Sequence, residues 1–251
     1  MKPRPPLDGL VVPPLLLLIA RELALFDPTR EIAWPLFHEL RDASGPRWLL
    51  PRPAAVLYDD PVALLLAFFA TGLAAAYAAA ALLGASARAR AALLAASATL
   101  VVVLPTLAAV GLGRATGRPY GHDGGVVQLP LALERTLAGQ SPYGADYSHS
   151  ALGEQSRASV FWQPLGGNPI TKHHWYLPGM HLVMAPFFLA SRAFFGWFDP
   201  RAVTLLGYVV AALLAASLLP HAERRLAAAG LVLVHPLVFW PQVFGTNDVL
   251  S

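Results

Sequence analysis

The chain contains no cysteine among its 251 residues, which excludes disulfides, thiolate metal sites and cysteine nucleophiles together. Charge is scarce as well. Asp, Glu, Lys and Arg make up 13% of the chain, well below the ~25% of a soluble domain. The net charge of +3 is spread along the sequence, and no basic stripe marks a nucleic-acid partner. There is no phosphate-cradling glycine loop, no Gly-x-Ser-x-Gly elbow, no zinc-protease helix motif and no internal repeat. Nucleotide-driven chemistry is therefore unsupported. What the chain has in excess is apolar residues, 56% of the total with mean hydropathy +0.52. Several runs reach the ~20 residues that a bilayer crossing needs. Composition predicts an all-α, polytopic transmembrane helical bundle, integral to the cell membrane.

The first apolar segment, residues 10–26, is weak and carries Pro13 and Pro14. Lys2 and Arg4 precede it as in a signal peptide. No small-x-small cleavage site follows and Arg21-Glu22 closes it, so an uncleaved anchor is expected. In "FDPTREIAWPLFHELRD", Ile32, Leu36, Phe37 and Leu40 recur at helical spacing, which predicts an interfacial amphipathic helix. Residues 1–60 thus read as anchor plus interfacial helix, and 61–113 as two spans. The first span starts after Asp59-Asp60 and Pro61, where capping accounts for the paired acids. Arg88 and Arg90 in the turn "GASARAR" favour the cytoplasm, so residue 113 emerges on the opposite face.

Residues 114–198 read as a non-cytoplasmic loop with juxtamembrane helices, and 199–251 as a two-helix transmembrane hairpin. Hydropathy alone would make 177–198, 199–220 and 226–244 three spans. That arrangement would put Arg224 and Arg225 of "HAERR" outside, against the positive-inside rule. Placing 177–198, with Pro178, His181, Pro186 and Arg192, along the outer interface returns those arginines to the cytoplasm. The chain stops at Ser251, just after "TNDVL". Its last apolar residues look like the start of another helix, so a truncated product of a protein with more spans is expected.

The outer loop holds the chemistry. "PYGHDGGVVQLP" places His122 and Asp123 beyond the second span and ahead of a helix in which Val126, Leu129, Pro130, Leu133 and Leu137 share a face, with Gly139 as its stop. Asp123 reads first as the N-cap. A carboxylate held at a helix N-terminus stays ionised and can also accept a proton or bind a divalent metal. "SPYGADYSHS" follows with Tyr143, Asp146 and Tyr147. Tyrosine stacks on sugar C–H faces and hydrogen-bonds at their rim, and it also anchors to membrane interfaces. "NPITKHHWYLPGMH" then gathers Lys172, His173, His174, Trp175, Tyr176 and His181. These groups at headgroup depth suit a lipid phosphate, although the histidines match no zinc spacing. Glu134, Arg135 and Arg157 read as solvated. Asn247-Asp248 lies at the mouth of the last span, where an acid is either a cap or functional.

"GHDGGVVQLPLALERTLAGQSPYGADY" resembles the first outer loop of the polytopic GT-C glycosyltransferases, and among them the glycosyltransferase family 87 group of polyprenyl-phosphate-dependent mannosyltransferase-like proteins. Ser141 stands where that pattern usually has Asn. The "WYLPG" segment, the basic inner turn and the span ending in "TND" follow in the order of that fold, and the likeness covers roughly residues 91–251. The resemblance implies sugar transfer from a polyprenyl-phosphate donor to a lipid or glycan acceptor on the non-cytoplasmic face. It implies Asp123 as general base or metal-linked acid and Asp248 as a second acid. The donor would lie against His122, Tyr143, Asp146, Tyr147, Lys172, His173 and His174, with a divalent metal as the one cofactor to consider. Two other readings stay open: an inactive or partial fragment of such an enzyme, and a lipid or solute transporter.

Overall fold

A computed structural model describes residues 6–25, 61–116, 125–150, 153, 169–172, 174 and 178–244. Among the described residues the chain is all-helical and has no strand. It divides into two compact units: Met1–Phe26 with Arg52–Leu107 and Leu205–Gln242, and Asp27–Pro51 with Ala108–Thr204 and Val243–Ser251. The predicted interfacial helix after residue 26 lies outside the described residues.

In the first unit, α1 (Leu7–Leu25) packs against α2 (Pro61–Leu82). Val12, Leu16 and Ile19 of α1 are fully buried. The contact is close because Gly9 has no side chain: a Cβ there would sit 2.6 Å from the Ala81 Cβ. Small residues at such crossings let backbones approach. A buried polar knot fastens the same end of α1. Asp8 Oδ2 accepts from the Tyr77 hydroxyl at 2.8 Å and from Arg90 Nε at 2.7 Å. Arg90 Nη1 donates to the Ala85 carbonyl at 2.7 Å.

Arg90 belongs to α3 (Ala87–Ala98), capped by Ser86, whose side chain accepts from the Ala89 amide. The helix widens into a π-turn at Thr99–Val103, where the Leu104 amide reaches the Thr99 carbonyl, then runs on as α4 (Leu104–Thr116). Pro105 explains the widening: its ring would strike the carbonyl four residues back in a regular α-helix. The continuous stretch Ala87–Ala115 is long and apolar enough to cross a membrane.

In the second unit, α5 (Gly125–Leu137) packs on α6 (Pro178–Phe195). Leu129 and Leu133 meet Met184 and Phe188, flanked by Met180 and Phe198. Val126 is buried as its helical face predicts, but Leu137 is 45% exposed, so the apolar face ends one turn early. Gly139, at φ +72°, closes α5 with the Gln140 amide on the Arg135 carbonyl. Only a residue free of Cβ adopts that backbone without strain.

Among the described residues, α7 (Pro200–Ser217) is the other stretch long and apolar enough to cross a membrane. Asp199 caps it, accepting from the Arg201 amide at 3.0 Å. The apolar run 226–244 is not one continuous helix. It folds as α8 (Ala222–Leu233) and α9 (Pro236–Phe244). Pro236 lacks the amide that a continuous helix would use, and His235 Nδ1 accepts from the Leu237 amide at 3.1 Å as the new cap. Arg224 and Arg225, read as part of an inner turn, stand in the first turn of α8.

Candidate functional site

Four of the expected site residues, His122, Asp123, His173 and Asp248, lie outside the described residues, as do Trp175 and Tyr176. The other five, Tyr143, Asp146, Tyr147, Lys172 and His174, all belong to the second unit.

Tyr147 is the pivot. Its ring is buried with Val127 and Ala145. Its hydroxyl donates to the Pro142 carbonyl at 2.9 Å, which folds the 142–147 turn back on itself. Burial pushes its phenol up, so the hydroxyl remains protonated and donating. Its amide donates to the Thr171 carbonyl at 2.6 Å, tying the turn to the short 3-10 helix Pro169–Lys172. Two segments more than twenty residues apart are thereby joined by one backbone bond.

Asp146 is solvent-facing, and its Oδ1 accepts from the Ser148 amide at 2.8 Å. Hydrogen bonds from the Ser148 side chain and backbone hold its carboxyl below the usual range, with the charges of His149 and Lys172 adding in the same direction. Lys172 therefore lies within electrostatic reach of Asp146.

His174 and His181 form a buried imidazole pair. Their Nε2 atoms are 2.7 Å apart and the rings stack with centroids 4.6 Å apart. Thr136 donates its hydroxyl to the Ala132 carbonyl at 2.8 Å and sits 3.5 Å from His181 Nδ1. With that proton already committed, Thr136 offers His181 a lone pair. This assigns the His181 hydrogen to Nδ1 and makes its Nε2 the acceptor from His174. Burial, reinforced by the neighbouring His181 charge, lowers His174 to about 4. Burial alone lowers His181. Both rings are neutral at pH 7. The partly exposed ring of Tyr143 meets His174 edge-on at 5.7 Å and His181 at 6.1 Å.

A groove of about 430 Å³ runs beside α5, lined by Glu134, Arg135, Gln140, Asp146, Tyr147 and His149 among others. Glu134 pairs with Arg192 at 3.2 Å, both half-exposed. Arg135, expected to be solvated, is partly exposed, but its Nε is buried and has no hydrogen-bond partner. Arg135, Thr136 and the pairing of His174 with His181 escaped sequence reasoning, because α5 brings them in from a different part of the chain.

Among the described residues no three His, Asp or Glu side chains converge as a metal site. No family model, curated protein or solved structure matches the chain.

Proposed function

We propose that the protein is a multi-pass membrane glycosyltransferase that moves a hexose, mannose-like, from a polyprenyl-phosphate donor to a lipid or glycan acceptor at the non-cytoplasmic face. The observation that carries this reading is the joining of the "SPYGADY" turn to the Pro169–Lys172 helix through Tyr147 and Thr171. Tyr143, Asp146 and Lys172 lie in the module so joined, which supports a polar site with an aromatic face, a carboxylate and a lysine. The motif likeness in the outer loop supports the same reaction. Among the described residues, two helices long and apolar enough to span support a membrane setting.

In this mechanism Asp123, which the sequence places two residues before α5, removes the proton from the acceptor hydroxyl. The acceptor oxygen attacks the anomeric carbon, the bond from that carbon to the phosphate oxygen breaks, and the configuration inverts. Lys172 stabilises the charge that collects on the departing lipid phosphate. Tyr143 offers its ring to the sugar. Asp248 is the second acid.

The test is transfer by purified protein supplied with a polyprenyl-phosphate hexose and a mixed lipid and glycan acceptor pool. Wild-type protein transfers the sugar, and Asp123→Asn loses at least ~100-fold, the scale of one general base. No transfer by wild-type protein, or full transfer by Asp123→Asn, overturns the reading.

A further inference from the structure

The N-terminal ends of α3 and α8 border one open space of about 640 Å³, lined by Leu7, Arg90, His221, Glu223 and Arg224 among others. Hydrogen-bond donors predominate there. Arg90 is only 6% exposed, with Nε on Asp8 and Nη1 on the Ala85 carbonyl. Its third nitrogen, Nη2, meets no acceptor among the described residues and is not sealed from solvent. The first turn of α8 adds backbone donors. His221 stands at its N-cap without a side-chain bond, and the first backbone bond of the helix comes from the Arg225 amide. The amides of Ala222, Glu223 and Arg224 are therefore the orphan donors of a helix start, at its positive end. Charge narrows the ligand further. Arg90 is neutralised by Asp8, whereas Glu223 and Arg224 are exposed and have no ion pair among the described residues. The space thus presents a positive and a negative group side by side. Apolar side chains accompany this polar end: Leu7 lines it, and the turns leading into α3 and α8 expose Leu82, Leu83 and Leu218. Arg88 and Arg90 on α3, with Arg224 and Arg225 on α8, mark these helix starts for the cytoplasmic leaflet by the positive-inside rule.

We propose that this space is a headgroup site for a zwitterionic phospholipid of the ethanolamine class. The phosphate diester accepts from Arg90 Nη2, the Arg224 guanidinium and the free amides of α8. The primary ammonium donates to the Glu223 carboxylate. A purely anionic headgroup would leave Glu223 facing a phosphate with no cation to meet it. A choline headgroup carries the same charges as ethanolamine but has no N–H to donate. The exposed leucines favour a ligand with acyl chains over a free phosphate compound. The proposal needs the membrane setting and is independent of glycosyl transfer.

The test titrates the full chain in detergent with short-chain phosphatidylethanolamine, phosphatidylcholine and phosphatidylglycerol, and with tail-free phosphoethanolamine. Wild-type protein binds the ethanolamine lipid ~10-fold or more tighter than each of the other three, the scale of a charge-assisted hydrogen bond. Glu223→Gln brings the ethanolamine and choline lipids within about twofold of each other, because the ammonium loses its acceptor. Arg90→Lys keeps a cation for Asp8 but loses Nη2, and weakens the ethanolamine lipid ~5-fold or more. Thermal unfolding checks that this variant folds. If it does not, Arg224→Gln, which lies outside the buried knot, carries the phosphate comparison with the same expected loss. Equal binding of the ethanolamine and choline lipids, tighter binding of the glycerol lipid, or tail-free phosphoethanolamine binding as tightly as the lipid overturns the proposal. So do no binding at all and unchanged affinities in the variants.

Discussion

The Nε2 of His174 lies 2.7 Å from the Nε2 of His181, so two buried imidazoles share one proton across the packing of the 174 segment against α6. Protonating His181 at Nε2 would set two N–H groups facing each other unless His174 gave up its Nε2 hydrogen, and a proton added to either ring places a charge in a low-dielectric site.

The pH dependence of stability follows from that pair. A His174 folded near 4 and about 6.5 when unfolded binds fewer protons in the native state throughout that interval. Stability is therefore complete above pH ~7 and is lost as pH falls through the unfolded value towards the folded one, on the order of 3 kcal/mol in all. Thermal unfolding between pH 7.5 and 4.5 checks this against the His174→Gln/His181→Gln double variant, whose slope should be flatter. Equal slopes in the two proteins would remove the histidines from the account.

Asp8 and Arg90 make a second prediction. Asp8 is wholly buried, with Tyr77 and Arg90 both on Oδ2. Asp8→Asn leaves a buried guanidinium without its counter-charge, which costs about 3 kcal/mol or more. Replacing both residues by apolar ones of similar size, Asp8→Leu with Arg90→Met, should recover part of that loss. Unfolding in detergent or nanodiscs measures both, and an Asp8→Asn protein as stable as wild type would contradict the buried pair.

The closeness of α1 and α2 gives a third. Gly9→Ala would press its Cβ to 2.6 Å from the Ala81 Cβ. A neighbouring alanine methyl cannot rotate away, so the helices must separate, at a cost of about 1–3 kcal/mol. Gly72→Ala on α2, where a Cβ meets nothing within 4 Å, should leave stability unchanged or slightly higher. A Gly9→Ala protein indistinguishable from Gly72→Ala would show that the two helices are not in tight contact.

Much of the helical layout was legible because apolar runs and Asp-Pro starts are local signals. Asp199 and Pro200 open α7 where that dipeptide predicts, and Gly139 closes α5. The break between α8 and α9 was also written locally, in His235-Pro236, but average hydropathy is blind to a missing amide. The Asp8–Tyr77–Arg90 knot spans 82 positions, and no short-range periodicity encodes such a pairing. At the candidate site, the sequence pointed to Tyr143, Tyr147 and His174 by residue type. It could not show that Tyr147 joins two segments, or that His181 completes the imidazole pair. Arg135, next to Glu134 in a polar stretch, looks solvated, and the sequence could not show that its Nε is shut off from water.

The measurement that tests the central claim most directly is sugar transfer in sealed membrane vesicles of known orientation, with a polyprenyl-phosphate hexose present in both leaflets and a water-soluble acceptor glycan added only outside. The account predicts transfer in right-side-out vesicles, where the non-cytoplasmic face meets the acceptor, and none in inside-out vesicles until they are opened with detergent. Transfer confined to inside-out vesicles would put the polar module of Tyr143, Asp146 and Lys172 on the cytoplasmic side and contradict the account.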